Sequence, residues 1–282
     1  MEFITLNNAT KAPLAGIGTF LMQPAEAEQA VLDALGNGYR LIDTANAYMN
    51  EKAVGRGIKK SGVAREDIYL VTKLWPSVYA DADNAIDATL RRLDTDYVDL
   101  LFLHQPAGDY IAAYKAMERA VKAGKVRSLG LSNFPQDKLR EVLEVCEIQP
   151  AFVQVEAHPY SPQTELKKFL KPLGTAVMAW YPLGHGDKSL IEEPVFGELA
   201  EKYGKTNAQI ILRWHTQMGN VVIPGSKNVE HMKDNINIFD FTLTDQELAK
   251  IAALDKNKRY YEASEEKLNG YLMFAPDFDG QP

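Results

Sequence analysis

LRRLDTDYVDLLFLHQP, residues 90–106, carries the alternation that decides the fold. It begins on the last turn of an amphipathic stretch, Ala82–Leu93, turns through Asp94-Thr95-Asp96, and enters an apolar run, Tyr97–His104, broken only by Asp99. An amphipathic helix feeding a short apolar run is the pattern of a βα unit with a buried parallel strand. The unit recurs on both sides. Strands are predicted at Leu14–Gly18, Leu41–Asp43, Tyr69–Lys73, Tyr97–His104, Ser128–Leu131, Phe152–Glu156, Ala176–Trp180 and Val221–Ile223. Between them, helices are predicted at Ala25–Leu35, Glu51–Lys60, Ala82–Leu93, Tyr110–Ala123, Gln136–Val145 and Thr206–Gln217, several followed by a stopping glycine. Eight such units close into a (β/α)8 barrel, an α/β fold, more naturally than they spread into an open sheet. Phe3–Leu6 and Lys11–Pro13, flanking Asn7-Asn8, read as a small hairpin capping the barrel floor. Leu243–Leu254, with the capping-box sequence Thr244-Asp245-Gln246-Glu247, reads as an added helix. The last twenty or so residues show no periodicity and are expected to form a loop over the barrel mouth.

Residues 1–282 are expected to form one domain, because 46% hydrophobic residues fill a large core and no Ser/Gly linker divides the chain. The opening MEFITLNNAT has neither a basic n-region nor an apolar h-region, and no apolar run approaches a membrane span. A cytoplasmic chain without membrane association is therefore expected. The single Cys146 permits no internal disulfide, and in LREVLEVCEI it reads as part of a helix's apolar face and not as a nucleophile. A net charge of −7, without a basic stripe, argues against nucleic acid. No protein partner is predicted.

Chemistry in this fold sits at the C-terminal ends of the strands, so the first polar residue after each apolar run is informative. Asp43 follows the second run, Lys73 the third and His104 the fourth. These strands are neighbours, and Tyr48, five positions past Asp43, is close enough to lean over the group. A purely structural Asp43–Lys73 ion pair would explain two of the four residues. Catalysis uses all of them. Lys73, held by Asp43, is expected to lower the Tyr48 phenol from its ordinary value of about 10, so that it exchanges a proton near neutral pH. A neutral His104 would donate to a carbonyl oxygen and orient it. GxGxxG, GxxxxGK[ST] and HExxH are absent, and His104, His158, His185, His215 and His231 lack metal-ligand spacing, so no metal is expected.

Six stretches, GYRLIDTANAYMNEKAVGRGI (38–58), VTKLWPS (71–77), LRRLDTDYVDLLFLHQP (90–106), GKVRSLGLSNF (124–134), VQVEAHPY (153–160) and IPGSKNVEHMKDN (223–235), resemble the aldo-keto reductases in the same order. The similarity covers nearly the whole chain and looks closest to the short bacterial members related to 2,5-diketo-gluconate reductases. The resemblance implies hydride transfer between NADPH or NADH and aldehydes, ketones or keto-sugars. It makes Asp43, Tyr48, Lys73 and His104 the catalytic tetrad, with Tyr48 as proton donor. It implies a cofactor shell in which Ser132, Asn133 and Gln154 hold the nicotinamide carboxamide, Trp180 stacks on the ring and the Leu183 loop clasps the pyrophosphate. Thr19 and Asp43 belong to the same shell, as do Pro224, Gly225, Ser226, Lys227, His231 and Asn235. Phe20 and Trp75, with Tyr48 and His104, are implied as the substrate pocket.

Departures from the family pattern are also informative. Gln105 stands where Trp is frequent, and Tyr181 where Ser is commoner. Gly225 and His231 stand where Lys and Arg commonly contact the adenosine 2′-phosphate, so use of NADH is expected, with Lys227 as the remaining cation on that loop. Two other readings compete. A Schiff-base aldolase on Lys73 would need an uncharged amine, against the effect of Asp43. A non-catalytic nicotinamide-binding regulatory module would leave the tetrad without a purpose.

Overall fold

The apolar runs become eight parallel strands in a computed structural model that describes residues 1–282. A hairpin, β1 (Phe3–Thr5) and β2 (Lys11–Pro13), precedes the barrel strands β3 (Ile17–Gly18), β4 (Leu41–Asp43), β5 (Tyr69–Leu74) and β6 (Val98–Leu103). They continue as β7 (Val126–Ser132), β8 (Phe152–Glu156), β9 (Ala176–Trp180) and β10 (Asn220–Val222), each paired with the next in sequence order. The helices are α1 (Pro24–Gly36), α2 (Glu51–Ser61), α3 (Ala82–Leu93), α4 (Tyr110–Lys122), α5 (Gln136–Val145) and α6 (Thr164–Leu170). After β9 come α7 (Lys188–Ile191), α8 (Pro194–Tyr203) and α9 (Asn207–Gln217), and after β10 come α10 (Val229–Ile236), α11 (Asp245–Ala252) and α12 (Glu265–Met273).

The two-residue alternation of a strand separates an inner from an outer core. Leu41, Val71, Leu100, Phe102, Phe152 and Met178 pack together inside the barrel, while Ile42, Leu70, Leu101, Leu103 and Val153 pack against the helices. Leu6, Ala12 and Leu14 join the inner cluster, so the hairpin closes one end of it. Gly130 makes room inside: a Cβ there would lie 2.3 Å from the Phe102 ring.

The predicted first strand, Leu14–Gly18, shortens to Ile17–Gly18 because the preceding residues bond to β10 instead. Gly16 N donates to Val222 O at 2.9 Å and Val222 N to Leu14 O at 3.0 Å, closing the barrel. The expected C-terminal loop is corrected more substantially, since it contains α12, capped by Ser264 accepting from Lys267 N at 3.2 Å. No residue of α12 is buried, so it has no apolar stripe for periodicity to detect. Cys146 lies just past the end of α5, partly buried against the outer core. No helix is long and apolar enough to cross a membrane.

Candidate active site

Alternation places Asp43, Lys73 and His104 on the inner side, at the ends of three adjacent strands. Asp43 Oδ2 accepts from Lys73 Nζ at 2.6 Å, and its Oδ1 accepts from Gln154 Nε2 at 2.9 Å, a reach across the barrel from β8. The Lys73 ammonium also donates to Thr44 O at 2.9 Å and to Tyr48 Oη at 3.1 Å. All three of its N–H groups thus have acceptors, which favours the ammonium, while burial pulls the amine below its ordinary value. Such a lysine presents no free amine to a carbonyl, against the aldolase reading.

Tyr48 ends a short 3-10 turn, Asn46–Tyr48, followed by Met49 in the left-handed region at φ 57°. The loop is pinned by buried Asn50, whose Nδ2 donates to Thr19 O at 3.0 Å and Met22 O at 3.1 Å. The phenol differs from the sequence expectation. Burial, with the Asp43 carboxylate and Tyr181 adding to it, pushes Tyr48 well above its ordinary value and does not bring it down to neutrality. Accepting from Lys73 and donating to no group of the protein, the hydroxyl keeps a proton free for a ligand.

His104 N donates to Leu74 O at 3.0 Å, and the ring lies 5.6 Å from Tyr48 and 4.9 Å from Trp75. Burial, reinforced by Lys73, drives the imidazole well below its ordinary value, so the ring is neutral. Its Nδ1 is buried without a partner. A proton there would have no acceptor, which places it on Nε2 as a donor. The Phe20 ring packs tilted 5.1 Å from Tyr48 and is half exposed, so the four implied pocket residues, Phe20, Tyr48, Trp75 and His104, form one continuous aromatic surface.

The residues implied for a cofactor also converge. Ser132 and Gln154 are paired across β7 and β8, and Asn133 follows in the left-handed region at φ 62°. Asn133 does not cap α5, whose N-cap is Pro135. Instead its Nδ2 donates to Ser132 Oγ at 3.2 Å and its Oδ1 accepts from Trp180 Nε1 at 3.0 Å. Thr19 is fully buried, with both N and Oγ1 on Asp43 O. The loop after β9 begins at Tyr181, at φ 50°, and Leu183 in it precedes the 3-10 turn Gly184–Gly186. Beyond β10, Pro224, Gly225, Ser226 and Lys227 lead into α10, where His231 is exposed and Asn235 is buried with no side-chain partner in the protein.

Three residues absent from the sequence reading join this end of the barrel. Tyr261 packs 5.6 Å from Trp180, Tyr271 packs 4.8 Å from Trp75, and Phe274 packs 5.9 Å from Trp75. Trp75 Nε1 donates to Tyr271 O at 2.8 Å. Only the folded path of the C-terminal segment brings them here. That path is clamped by buried Glu156, which accepts from His158 Nε2 at 2.9 Å and from the backbone of Tyr260 and Tyr261 at 2.7 and 2.9 Å. Burial alone would raise this carboxyl, but those three donors hold it below the ordinary range.

Residues 15–256 match the model of the aldo/keto reductase family. The chain belongs to the aldo/keto reductase family. An aldo-keto reductase of Mycolicibacterium smegmatis is 45% identical over 91% of this chain and 94% of its own length. A glyoxal reductase of Bacillus subtilis is 41% identical over 92% and 94%. A Bombyx mori aldo-keto reductase solved in complex with NADP superposes with a TM-score of 0.88, at 33% identity, covering 94% of this chain and 96% of that one. This reductase is accordingly an NAD(P)H-dependent oxidoreductase of carbonyl groups; the relatives show the family and not a narrower branch of it.

The cleft of the reductase suits a nicotinamide. Ser132, Asn133 and Gln154 present a hydroxyl and two amides, complementary to a primary carboxamide. The unpartnered Asn235 amide is available to a further polar group. Gly225 lies close to the barrel rim, where a Cβ would sit 3.2 Å from Gly18 O.

Proposed function

We propose that this reductase, acting as one unit over residues 1–282 in the cytoplasm, reduces aldehydes, ketones or keto-sugars with Tyr48 as proton donor. The observation that carries this reading is the Lys73 ammonium, which bonds to Asp43, Thr44 O and Tyr48 Oη and leaves the phenolic proton without an acceptor in the protein. Ser132, Asn133 and Gln154 would hold the carboxamide, Trp180 the ring and the loop after Tyr181 the pyrophosphate. When bound, the nicotinamide supplies the hydride. A substrate carbonyl oxygen would accept from Tyr48 Oη and His104 Nε2, which polarise it and fix its direction. The alkoxide formed then takes the Tyr48 proton, and the Lys73 ammonium stabilises the phenolate left behind. Phe20 and Trp75 supply an apolar wall.

The same reading includes good use of NADH. Gly225 offers no side chain to a 2′-phosphate, and His231 replaces a permanently charged guanidinium. Lys227, the remaining cation, is already 3.0 Å from Glu26 Oε1, a carboxylate also held by Gln23 N at 2.9 Å. Two missing charge-assisted contacts at about 1.5 kcal/mol each would lower NADPH affinity roughly a hundredfold. The test is oxidation of NADH and NADPH against aldehydes, α-diketones and keto-sugars. No turnover with any carbonyl overturns the first reading, and a strong NADPH preference overturns the second.

A further inference from the structure

We propose that Gln105, Tyr261 and Tyr271 form a hydroxyl-recognising wall of the substrate cleft, selecting carbonyl compounds that bear a hydroxyl group over their deoxy counterparts. This rests on the carbonyl-reductase reading above and names the substrate class of that site. Gln105 directly follows His104, and its backbone is fixed twice by one side chain: its O accepts from Tyr79 Oη at 3.0 Å, and its N donates to Tyr79 Oη at 3.2 Å. The backbone is therefore held, and the side chain is fixed by its own bond. Its Oε1 accepts from Tyr261 Oη at 3.3 Å, and Tyr261 Oη meets Tyr271 Oη at 3.1 Å.

Gln105 is only 5% exposed, yet its second amide atom has no partner in the protein. Unlike His104 Nδ1, that atom is not sealed from solvent. Exchanging the two amide atoms would replace a free donor by a free acceptor, and a hydroxyl satisfies either. The wall lies between the two aromatic boundaries of the cleft, with Tyr261 against Trp180 and Tyr271 against Trp75, which also touches His104. A carbonyl compound held at His104 thus has hydrogen-bonding groups beside its chain as well as aromatic surface.

Apolar surface alone discriminates weakly between a methyl and a hydroxyl, whereas buried polar groups left unpaired reject the analogue that lacks the hydroxyl. Glyceraldehyde would therefore be preferred to propanal, and erythrose to butanal, by about tenfold or more in kcat/KM per free carbonyl. The experiment measures those four values for the unmodified enzyme and for Gln105→Leu and Tyr271→Phe. Collapse of the hydroxylated-to-deoxy ratio to within about threefold of unity in Gln105→Leu, carried by KM, supports the wall. Tyr271→Phe keeps the ring on Trp75 and should lower the ratio too; it carries the test if Gln105→Leu does not fold. A parent ratio near unity, or a parent preference unchanged in both variants, overturns the wall while leaving carbonyl reduction intact. Absence of turnover with all four aldehydes removes both.

Discussion

Two acid–base pairs flank a single strand, and only one of them points at the candidate site. On the inner face of β5, Lys73 meets Asp43; beside it, Thr72 turns outward and donates to Glu51 Oε1 at 2.6 Å, whose Oε2 accepts from Arg92 Nε at 2.7 Å. The pairs are equally withdrawn from water, with side-chain exposures of 0% and 3% inside and 5% and 0% outside. Their remaining hydrogen bonds differ. Arg92 spends its other donors on Thr89 Oγ1 at 2.8 Å and on Asp279 Oδ1 at 2.6 Å, which fastens the C-terminus to α3. Lys73 spends one on Tyr48, whose own proton faces no acceptor. Burial and charge do not separate a staple from a candidate reaction centre; an open valence at the barrel mouth does.

The largest expected effect falls on that open valence. Tyr48→Phe should lower kcat by about 10²–10⁴-fold with cofactor binding nearly unchanged, as followed by nucleotide fluorescence titration. Retention of more than about a tenth of the parent rate would remove the phenol from the chemistry. The two pairs can be compared directly through Lys73→Met and Arg92→Met. Each strands a buried carboxylate, so each should cost about 3–5 kcal/mol in denaturant unfolding. Only Lys73→Met should also abolish turnover in the protein that remains folded. Equal residual kcat would erase the distinction.

A smaller effect concerns pH. The Tyr48 phenol is pushed up and the His104 imidazole down, so at neutral pH the first stays protonated and the second neutral. The rate of reduction should therefore be nearly flat from about pH 6 to 9 and fall only as alkali strips the phenol. A descending limb centred near neutrality would restore the lowered phenol expected from the proximity of Lys73. Trp75→Ala should then reorder aldehyde substrates by about tenfold while leaving NAD(P)H affinity in place. Equal losses for every substrate would make Trp75 structural. Smallest is Glu26→Gln, which frees the exposed Lys227 and should shift the NADPH-to-NADH ratio of kcat/KM upward by about two- to fivefold. No shift would leave Glu26 without a part in cofactor choice.

The barrel, its strand ends and the convergence of Asp43, Lys73 and His104 are legible in the chain because they depend on local order. An apolar run followed by one polar residue is read the same way at Asp43, Lys73 and His104, and alternation alone sends all three inward. The resemblance located Ser132, Asn133, Gln154 and Trp180, and the fold brought them together. Other features depended on distance in the chain. Lys227 meets Glu26 across 201 positions, Trp75 meets Tyr271 across 196, and neither pairing leaves a mark in the local sequence. The helix α12 escaped because it is held by contacts of its ends and of Tyr271, with no buried stripe to give it a period. The Tyr48 phenol departs from the sequence expectation for a related reason. Sequence shows the cation that favours the phenolate, but only the packed structure sets how much water the phenol loses and how near the Asp43 carboxylate lies, and both push the phenol up.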